Sequence, residues 1–272
     1  MALPRFFCPI PMSLGQTVDL PPAVANHAGR ALRLREGTEI VLFNGMGGQF
    51  HAYLRFQQGV AQAELFHFEP RNHTLKGQIT LVQALASGDK MDWIIEKATE
   101  LGVHRLIPIQ AERSVLNLEG TRLDKRQQRW QAVAQGASEQ CGRNQLLRLE
   151  SVQSLNQCLQ SLSAEKVEQT SATRMASNDL HADTAQATTA NTIQSYLCDP
   201  DSTTPLREHL LSLEKPQEIR LFIGPEGGWS EKESALMQKH AALSVCFGDR
   251  VLRTETAGIA LASATAALLD WF

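Results

Sequence analysis

A glycine-rich loop near the C-terminus carries the first group of residues that could do chemistry. Gly224–Gly228 reads Gly-Pro-Glu-Gly-Gly after a predicted strand over 219–223, and Ser230 and Glu233 form a Ser-x-x-Glu pair that predicts a capped helix start. Glycines let a ligand approach the backbone closely, and open α/β sheets bind ligands in loops at the carboxyl ends of their strands. The same pattern is typical of a tight strand-to-helix turn, so the segment alone leaves both interpretations open.

A second loop, 247–257, reads Phe-Gly-Asp-Arg-Val-Leu-Arg-Thr-Glu-Thr-Ala and leads into an almost entirely apolar helix. Helix capping explains part of this loop, because Thr254 or Thr256 can act as the N-cap and Glu255 is favoured by the helix dipole. Capping does not explain Arg253, a cation near the positive end of that dipole. Two such loops on neighbouring strands predict one shared pocket.

The hydrophobic pattern around these loops predicts two domains. Residues 1–72 are β-rich with Asn-Gly and Gly-Gly turn signals, which is typical of a small β-barrel. Residues 73–272 alternate strands and helices, which predicts an α/β domain; a Ser-, Thr- and Ala-rich stretch at 163–195 predicts a flexible surface insertion. The predicted helices cover 24–34, 89–102, 123–141 and 257–271, and the predicted strands cover 38–43, 49–54, 59–65, 78–85, 105–109, 195–198, 219–223 and 243–247.

The last predicted helix, 257–271, is rich in alanine and leucine almost all round. A helix of this kind must be buried on more than one side. We therefore expect it to pack in a core or against a second subunit.

Composition excludes several classes of protein. The chain has 272 residues, and it contains neither a long apolar run nor the pattern of a secretory signal, so we expect a cytosolic protein. The five cysteines are widely spaced without a Cys-x-x-Cys pair, and the histidines are scattered, so we expect reduced thiols and no metal site. The net charge of −3 argues against nucleic acid, but arginine supplies every cation before residue 73, and such local basic surfaces bind phosphates or are simply solvated.

The two C-terminal loops resemble the cofactor loops of the SPOUT class of methyltransferases, whose chain forms a trefoil knot. More closely, the sequence resembles the RsmE family, which methylates N3 of a uridine in 16S ribosomal RNA. The resemblance covers most of 3–156 and 195–270. It extends through matches at Leu3–Phe7, His27–Gly37, Lys90–Val103, Glu112–Val115 and Ala137–Arg143.

This resemblance implies an α/β fold, with a C-terminal SPOUT α/β-knot methyltransferase domain built on a parallel sheet and a small N-terminal PUA-like β-barrel. It also implies S-adenosyl-L-methionine as cofactor, 16S rRNA in the small ribosomal subunit as substrate, and a homodimer. The expected cofactor-binding residues are Leu197, Asp199, Pro200, Ile223, Gly224, Pro225, Glu226, Gly227, Gly228, Phe247, Gly248, Val251, Leu252, Arg253, Thr254, Thr256 and Ala257.

The resemblance also suggests roles for individual side chains. We expect Arg253 and Arg143 to stabilise an anion or clamp a phosphate. The candidate carboxylates are Glu139 and Glu226, either as a proton acceptor or as partners that orient an arginine. The residues expected to bind RNA are Arg5, His27, Arg30, Arg33 and Arg35.

Three other functions remain open at this point. One is a different SPOUT reaction, such as ribose 2′-O methylation, and another is a ribosome-assembly factor that keeps the fold without catalysis. A third, a nucleotide-phosphate enzyme built on the Gly-Pro-Glu-Gly-Gly loop, lacks the expected lysine and metal carboxylates.

Overall fold

The computed structural model describes residues 3–57, 59–178 and 193–272. Its residues divide into two compact units. The N-terminal unit comprises Met1–Thr74 and Ala134–Leu146, and the C-terminal unit comprises Leu75–Val133 and Leu147–Phe272. The N-terminal unit therefore includes residues 134–146, and the domain bounds 1–72 and 73–272 stay a prediction.

The N-terminal unit contains a five-stranded mixed sheet. One face of its long central hairpin buries alternate residues, including Ala52, Leu54, Ala63 and Leu65, against Phe6. The strands are β1 (Arg5–Phe7), β2 (Thr17–Asp19), β3 (Glu39–Phe43), β4 (Gln49–Gln57) and β5 (Val60–Glu69), in the order β1-β3-β4-β5-β2. All pairs are antiparallel except β1 with β3.

The helix predicted over 24–34 is two short pieces. They are α1 (Pro22–Asn26) and a π-helical turn over His27–Ala31. Arg33 follows this turn with a φ of 53°, and the Leu34 N–H donates to the Ala28 carbonyl across it. A left-handed residue just after a helix, with a backbone bond closing over it, is the geometry of a helix stop.

The C-terminal unit contains a parallel sheet of seven strands. They are β6 (Gln78–Ala84), β7 (Arg105–Gln110), β8 (Arg148–Leu149), β9 (Gln153–Ser154), β10 (Ile193–Cys198), β11 (Glu218–Ile223) and β12 (Ala242–Val245). The order is β12-β10-β11-β6-β7-β8, with β9 also paired to β7. Every residue of β11 is buried, as expected for a parallel strand that is covered on both faces.

Six helices accompany these strands along the chain. They are α2 (Lys90–Glu100), α3 (Gly120–Cys141), α4 (Leu155–Asn178), α5 (Leu206–Leu211), α6 (Glu231–Lys239) and α7 (Thr254–Leu268). The predicted capping box at the start of α6 is present, with reciprocal bonds between Ser230 and Glu233. Helix α7 buries Gly258, Leu261, Ala262, Thr265 and Ala266 along one face, and its other positions are partly accessible.

The structure differs from the predicted flexible insertion at 163–195. Residues up to Asn178 continue helix α4, and Ile193 already begins β10. The sequence lacks a clear apolar period there, but alanine, glutamine, glutamate and lysine favour a helix without one. Residues 179–192 of the expected insertion lie outside the described part of the chain.

Candidate active site

Three loops at one edge of the parallel sheet enclose a cavity of about 490 Å³. They follow β10, β11 and β12, which are adjacent in the order β12-β10-β11, so their carboxyl ends lie side by side. This volume is in the usual range for a site that binds a small molecule, about 300–1,000 Å³. The shared pocket expected from the two glycine loops is therefore present, with a third loop from β10.

Nearly all the residues expected to bind the cofactor line this cavity. Thr256 is the exception. The predicted residues in the lining are Leu197, Asp199, Pro200, Ile223, Gly224, Pro225, Glu226, Gly227, Gly228, Phe247, Gly248, Val251, Leu252, Arg253, Thr254 and Ala257. The lining residues outside the expected loops include Arg113, Asp201 and Trp229.

Thr254 joins two of the loops and does not cap helix α7. Its hydroxyl donates to the Gly224 carbonyl at 2.6 Å and accepts from the Gln83 amide at 2.9 Å. The N-cap is Arg253, which makes no side-chain cap bond, so both threonine assignments to the cap were wrong. Thr254 is buried, and its hydroxyl fixes the distance between the start of α7 and the glycine-rich loop.

Glu226 is held by a cluster of donors from the segment that precedes and begins α2. Its Oε1 accepts from the Ser87 N–H at 3.0 Å, from the Ser87 hydroxyl at 2.7 Å and from Lys90 Nζ at 3.0 Å. Lys90 also lies 3.5 Å from a carboxylate oxygen of Glu255, and these bonds raise the pKa of Lys90. Lys90 therefore lies between one carboxylate from each of the two glycine-containing loops.

The protonation state of Glu226 follows from these contacts. Burial is the largest single influence and opposes ionisation, but the hydrogen bonds from Ser87, from the backbone and from Lys90 together lower the pKa of its carboxyl to about 2. A carboxylate with that pKa is a weak base at neutral pH. The contacts of Glu226 therefore favour a role in positioning the glycine-rich loop over a role as proton acceptor.

Three arginines line the cavity without an ion pair to any described carboxylate. They are Arg113, Arg250 and Arg253, and all three are exposed. Their charges are available to an anionic ligand, since Lys90 already neutralises Glu226. The site therefore combines a cradle of glycine backbone with cationic side chains, as needed to hold a nucleoside-like ligand beside a developing anion.

Glu139 and Arg143 do not line this cavity. Both belong to the N-terminal unit, where Glu139 accepts from the Phe7 N–H at 2.9 Å and from the Gln135 amide at 3.0 Å. Arg143 is only 3% exposed, and burial lowers the pKa of its guanidinium to about 10, which leaves it protonated at neutral pH.

The arginines expected to bind RNA divide into two groups. Arg5 donates to Gln49, to the Gly142 carbonyl and to Asn144, and burial lowers its pKa. The guanidinium of Arg5 is therefore occupied by contacts within the N-terminal unit, and RNA binding by Arg5 stays a prediction. By contrast, His27, Arg30, Arg33 and Arg35 are exposed around the π-helical turn.

The described residues contain no group of three or more side chains that could hold a metal ion. All five cysteines are unpaired as thiols. Within the described ranges, no helix has the length and apolarity needed to cross a membrane.

Sequence reasoning missed Ser87, Lys90 and Arg113. Lys90 and Arg113 lie in segments that resemble the family, Lys90–Val103 and Glu112–Val115, but nothing in their local pattern links them to the glycine loops. The link comes from the parallel sheet, since the segments after β6 and β7 lie at the same edge as those after β10–β12.

Comparison with known proteins supports the methyltransferase interpretation. Residues 73–266 match the model of the RNA methyltransferase domain family, and residues 20–55 match the model of the RNA methyltransferase PUA domain. The chain is 29% identical to ribosomal RNA small subunit methyltransferase E of Bacillus subtilis over 240 residues, which are 88% of this chain and 85% of the relative.

Solved structures give the same result. Ribosomal RNA small subunit methyltransferase E from Neisseria gonorrhoeae, crystallised with S-adenosyl methionine, is 30% identical with a TM-score of 0.80 over 98% of each chain. A Legionella pneumophila methyltransferase structure in complex with the same cofactor is 28% identical with a TM-score of 0.81, also over 98% of each chain.

These matches confirm the resemblance inferred from the sequence, and the expected SPOUT α/β fold with an N-terminal PUA domain. They cover the parallel sheet with its three-loop cavity as well as the segment with the exposed arginines. The chain belongs to the RNA methyltransferase family, among the ribosomal RNA small subunit methyltransferases E.

Proposed function

We propose that this protein transfers the methyl group of S-adenosyl-L-methionine to N3 of a uridine in 16S ribosomal RNA. The observation that carries this proposal is the cavity at the ends of β10, β11 and β12, lined by backbone-rich loops and three arginines without ion pairs to described residues. Relatives that align over most of this chain are named for small-subunit ribosomal RNA, and one of them is solved with S-adenosyl methionine.

The cofactor fits the residues that are present. Gly224 and Gly227 let the loop lie close to other residues of the cavity lining, since a Cβ on Gly224 would lie 3.2 Å from the Trp229 ring and one on Gly227 would lie 3.1 Å from Arg113 Cβ. When bound, the cofactor supplies an electrophilic methyl group on a sulfonium. We assign its adenosine part to the loops at 197–200, 223–228 and 247–257.

Arg253 is the residue we assign to the reacting base. The N3–H of uracil is a weak acid, so methylation requires loss of that proton and stabilisation of negative charge at the uracil oxygens. A guanidinium at the cavity wall supplies that charge, and its position before α7 is fixed by the contacts of Thr254.

The remaining candidates take supporting roles in this proposal. Glu226 positions the glycine loop through Ser87 and Lys90, and the proton leaves to water. The contacts of Glu139 and the burial of Arg143 support structural roles in the N-terminal unit.

RNA docking is assigned to the exposed group around the π-helical turn, His27, Arg30, Arg33 and Arg35. Planar guanidinium groups suit phosphates and stacked bases. We assign the reaction to the cytoplasm, where ribosomal RNA is the substrate. The partly accessible apolar positions of α7 support a homodimer.

A transfer assay tests the proposal. Purified protein is incubated with labelled S-adenosyl-L-methionine and small ribosomal subunits from cells that lack the enzyme, and we expect label in 16S rRNA. Tight cofactor binding without transfer would favour a non-catalytic assembly factor. Label in alkali-resistant dinucleotides would favour 2′-O methylation.

A further inference from the structure

Arg113 lies far in sequence from the three cavity loops but reaches the glycine-rich loop. It belongs to the segment between β7 and α3, and it is one of the residues that line the cavity. Its Nη1 donates to the Gly227 carbonyl and to the Trp229 carbonyl, each at 3.3 Å. Its guanidinium is therefore attached to the wall of the cavity.

The backbone around Arg113 is also fixed. The Glu112 N–H donates at 2.9 Å to Oε1 of Glu233, the same carboxylate that completes the capping box of α6. The Ser114 hydroxyl accepts from the Ala111 N–H at 3.2 Å, which closes a turn around Arg113. A cation held at both its backbone and its guanidinium loses little further freedom when a ligand binds.

One edge of this guanidinium remains open. Nη1 is used by the two carbonyls, whereas Nε and Nη2 make no hydrogen bond to the described residues. The Nε–Nη2 edge is one that binds a carboxylate through two parallel hydrogen bonds. Arg250 and Arg253 also line the cavity, but among described residues their guanidinium groups have no comparable anchoring bond.

The other charges of the cavity leave this edge free. Glu226 is engaged by Ser87 and Lys90. Asp199 accepts from the Asp201 N–H and from the Ser244 hydroxyl, at the β10 loop. Asp199 and Asp201 both line the cavity, and their carboxylates can attract an ammonium group. The cavity therefore offers separate partners for the carboxylate and the ammonium group of an amino acid.

We propose that Arg113 is the receptor for the α-carboxylate of the methionyl part of the cofactor, bound through its open Nε–Nη2 edge. The inference rests on the proposed function, because it assumes that S-adenosyl-L-methionine occupies this cavity. At neutral pH the carboxylate is the only anionic group of that cofactor, whereas its ammonium and sulfonium are cationic. Arg113 thereby sets which nucleoside thioethers the site accepts.

Two ligands that differ in the amino-acid part test this assignment. S-adenosylhomocysteine carries the carboxylate and the ammonium, whereas 5′-methylthioadenosine has the same adenosine thioether without either. Their dissociation constants are measured by titration calorimetry for the wild type, Arg113→Met and Arg113→Lys. Arg207→Met is the matched control, because Arg207 is an exposed arginine on α5 outside the cavity.

We expect Arg113→Met to weaken S-adenosylhomocysteine binding by about 10- to 100-fold, the usual loss for a hydrogen bond to a charged group. Binding of 5′-methylthioadenosine should change by less than about twofold, which also shows that the cavity remains folded. Arg113→Lys should fall between the wild type and Arg113→Met, and Arg207→Met should match the wild type for both ligands.

Equal weakening for both ligands would overturn the inference, because Arg113 would then act only on the loop. Unchanged binding of both, with a raised KM for the ribosomal subunit, would also overturn it and assign Arg113 to an RNA phosphate. A wild-type protein that binds neither ligand would instead refute the proposed function, so the two failures are distinguishable.

Discussion

At the scale of single residues, the site depends on side chains that hold loops together. Glu226 and Thr254 are both in the predicted cofactor segments, and the structure uses both of them to fix backbone positions. Local pattern could identify these residue types but not their roles, because their partners Ser87, Lys90 and Gln83 are distant in sequence.

Glu226→Gln should destabilise the protein in a pH-dependent way. Its carboxyl pKa falls from the ordinary 4.5 to about 2 on folding, so the unfolded state binds the proton more readily between these values. The stabilisation is therefore complete above pH 4.5 and is lost as the pH falls towards 2. We expect Glu226→Gln to cost about 1 kcal/mol at pH 7, measured by urea unfolding.

The same measurement at lower pH separates this account from a general loss of packing. The free-energy difference between Glu226→Gln and the wild type should shrink between pH 4.5 and the onset of acid unfolding. Glu214→Gln, at an exposed position outside the site, should show no difference at any pH. A Glu226→Gln deficit that is equal at pH 3 and pH 7 would contradict the explanation.

Thr254→Val should lower the free energy of unfolding by about 1–3 kcal/mol and weaken cofactor binding. Valine keeps the shape of threonine but leaves the Gly224 carbonyl and the buried Gln83 amide without the hydroxyl between them. Thr254→Ser keeps that hydroxyl and should retain cofactor affinity. The idea fails if the serine and valine variants lose cofactor affinity equally in calorimetry.

At the scale of elements, most strands and helices of the C-terminal unit could be predicted from the sequence. The elements that were predicted wrongly or missed have local causes. Strands β6, β7 and β11 are recognisable in the sequence because each is a short, mostly apolar segment. The start of α6 is recognisable from its capping box. The π-helical turn was not predictable, since no residue type specifies the wider hydrogen bonding. Helix α4 was missed because its second half lacks an apolar period.

The exposed arginines that follow the π-helical turn lead to a prediction about RNA binding. Removing the charges of Arg33 and Arg35 should weaken binding to 16S rRNA fragments and reduce the salt dependence of binding, with cofactor affinity unchanged. We choose Arg33→Asn with Arg35→Gln, because Arg33 has a φ of 53° and asparagine tolerates that left-handed conformation. Arg207→Gln in the C-terminal unit is the control, and unchanged RNA affinity of the double variant at low and moderate salt would refute the docking role.

At the scale of the whole molecule, the order of the short sequence matches is sufficient to indicate the family. Each short match is weak alone, but together they span both units, and the family comparisons cover the same ranges. What they could not supply is the part played by Arg113 after β7, which lines the cavity, and by Ser87 and Lys90 after β6, which hold Glu226. That arrangement depends on strand order, which no single segment encodes.

Helix α7 leads to a prediction about assembly. Its partly accessible apolar positions include Ile259, Ala260 and Leu268. We expect a homodimer at micromolar concentration in sedimentation or light scattering, and Ile259→Glu should weaken it because a carboxylate resists burial at an interface. A monomeric mass for the wild type would contradict this prediction.

The central claim is the position of the transferred methyl group, and one measurement tests it directly. Small subunits from cells that lack the enzyme are methylated in vitro, the 16S rRNA is digested to nucleosides, and the product is identified by mass spectrometry and mapped to its nucleotide. The account predicts N3-methyluridine at one position with wild-type protein, and at least a tenfold lower rate with Arg253→Met, for a lost charged contact of about 1.5–3 kcal/mol. A methyl group on a ribose oxygen, on another base, or on no nucleotide at all would contradict it.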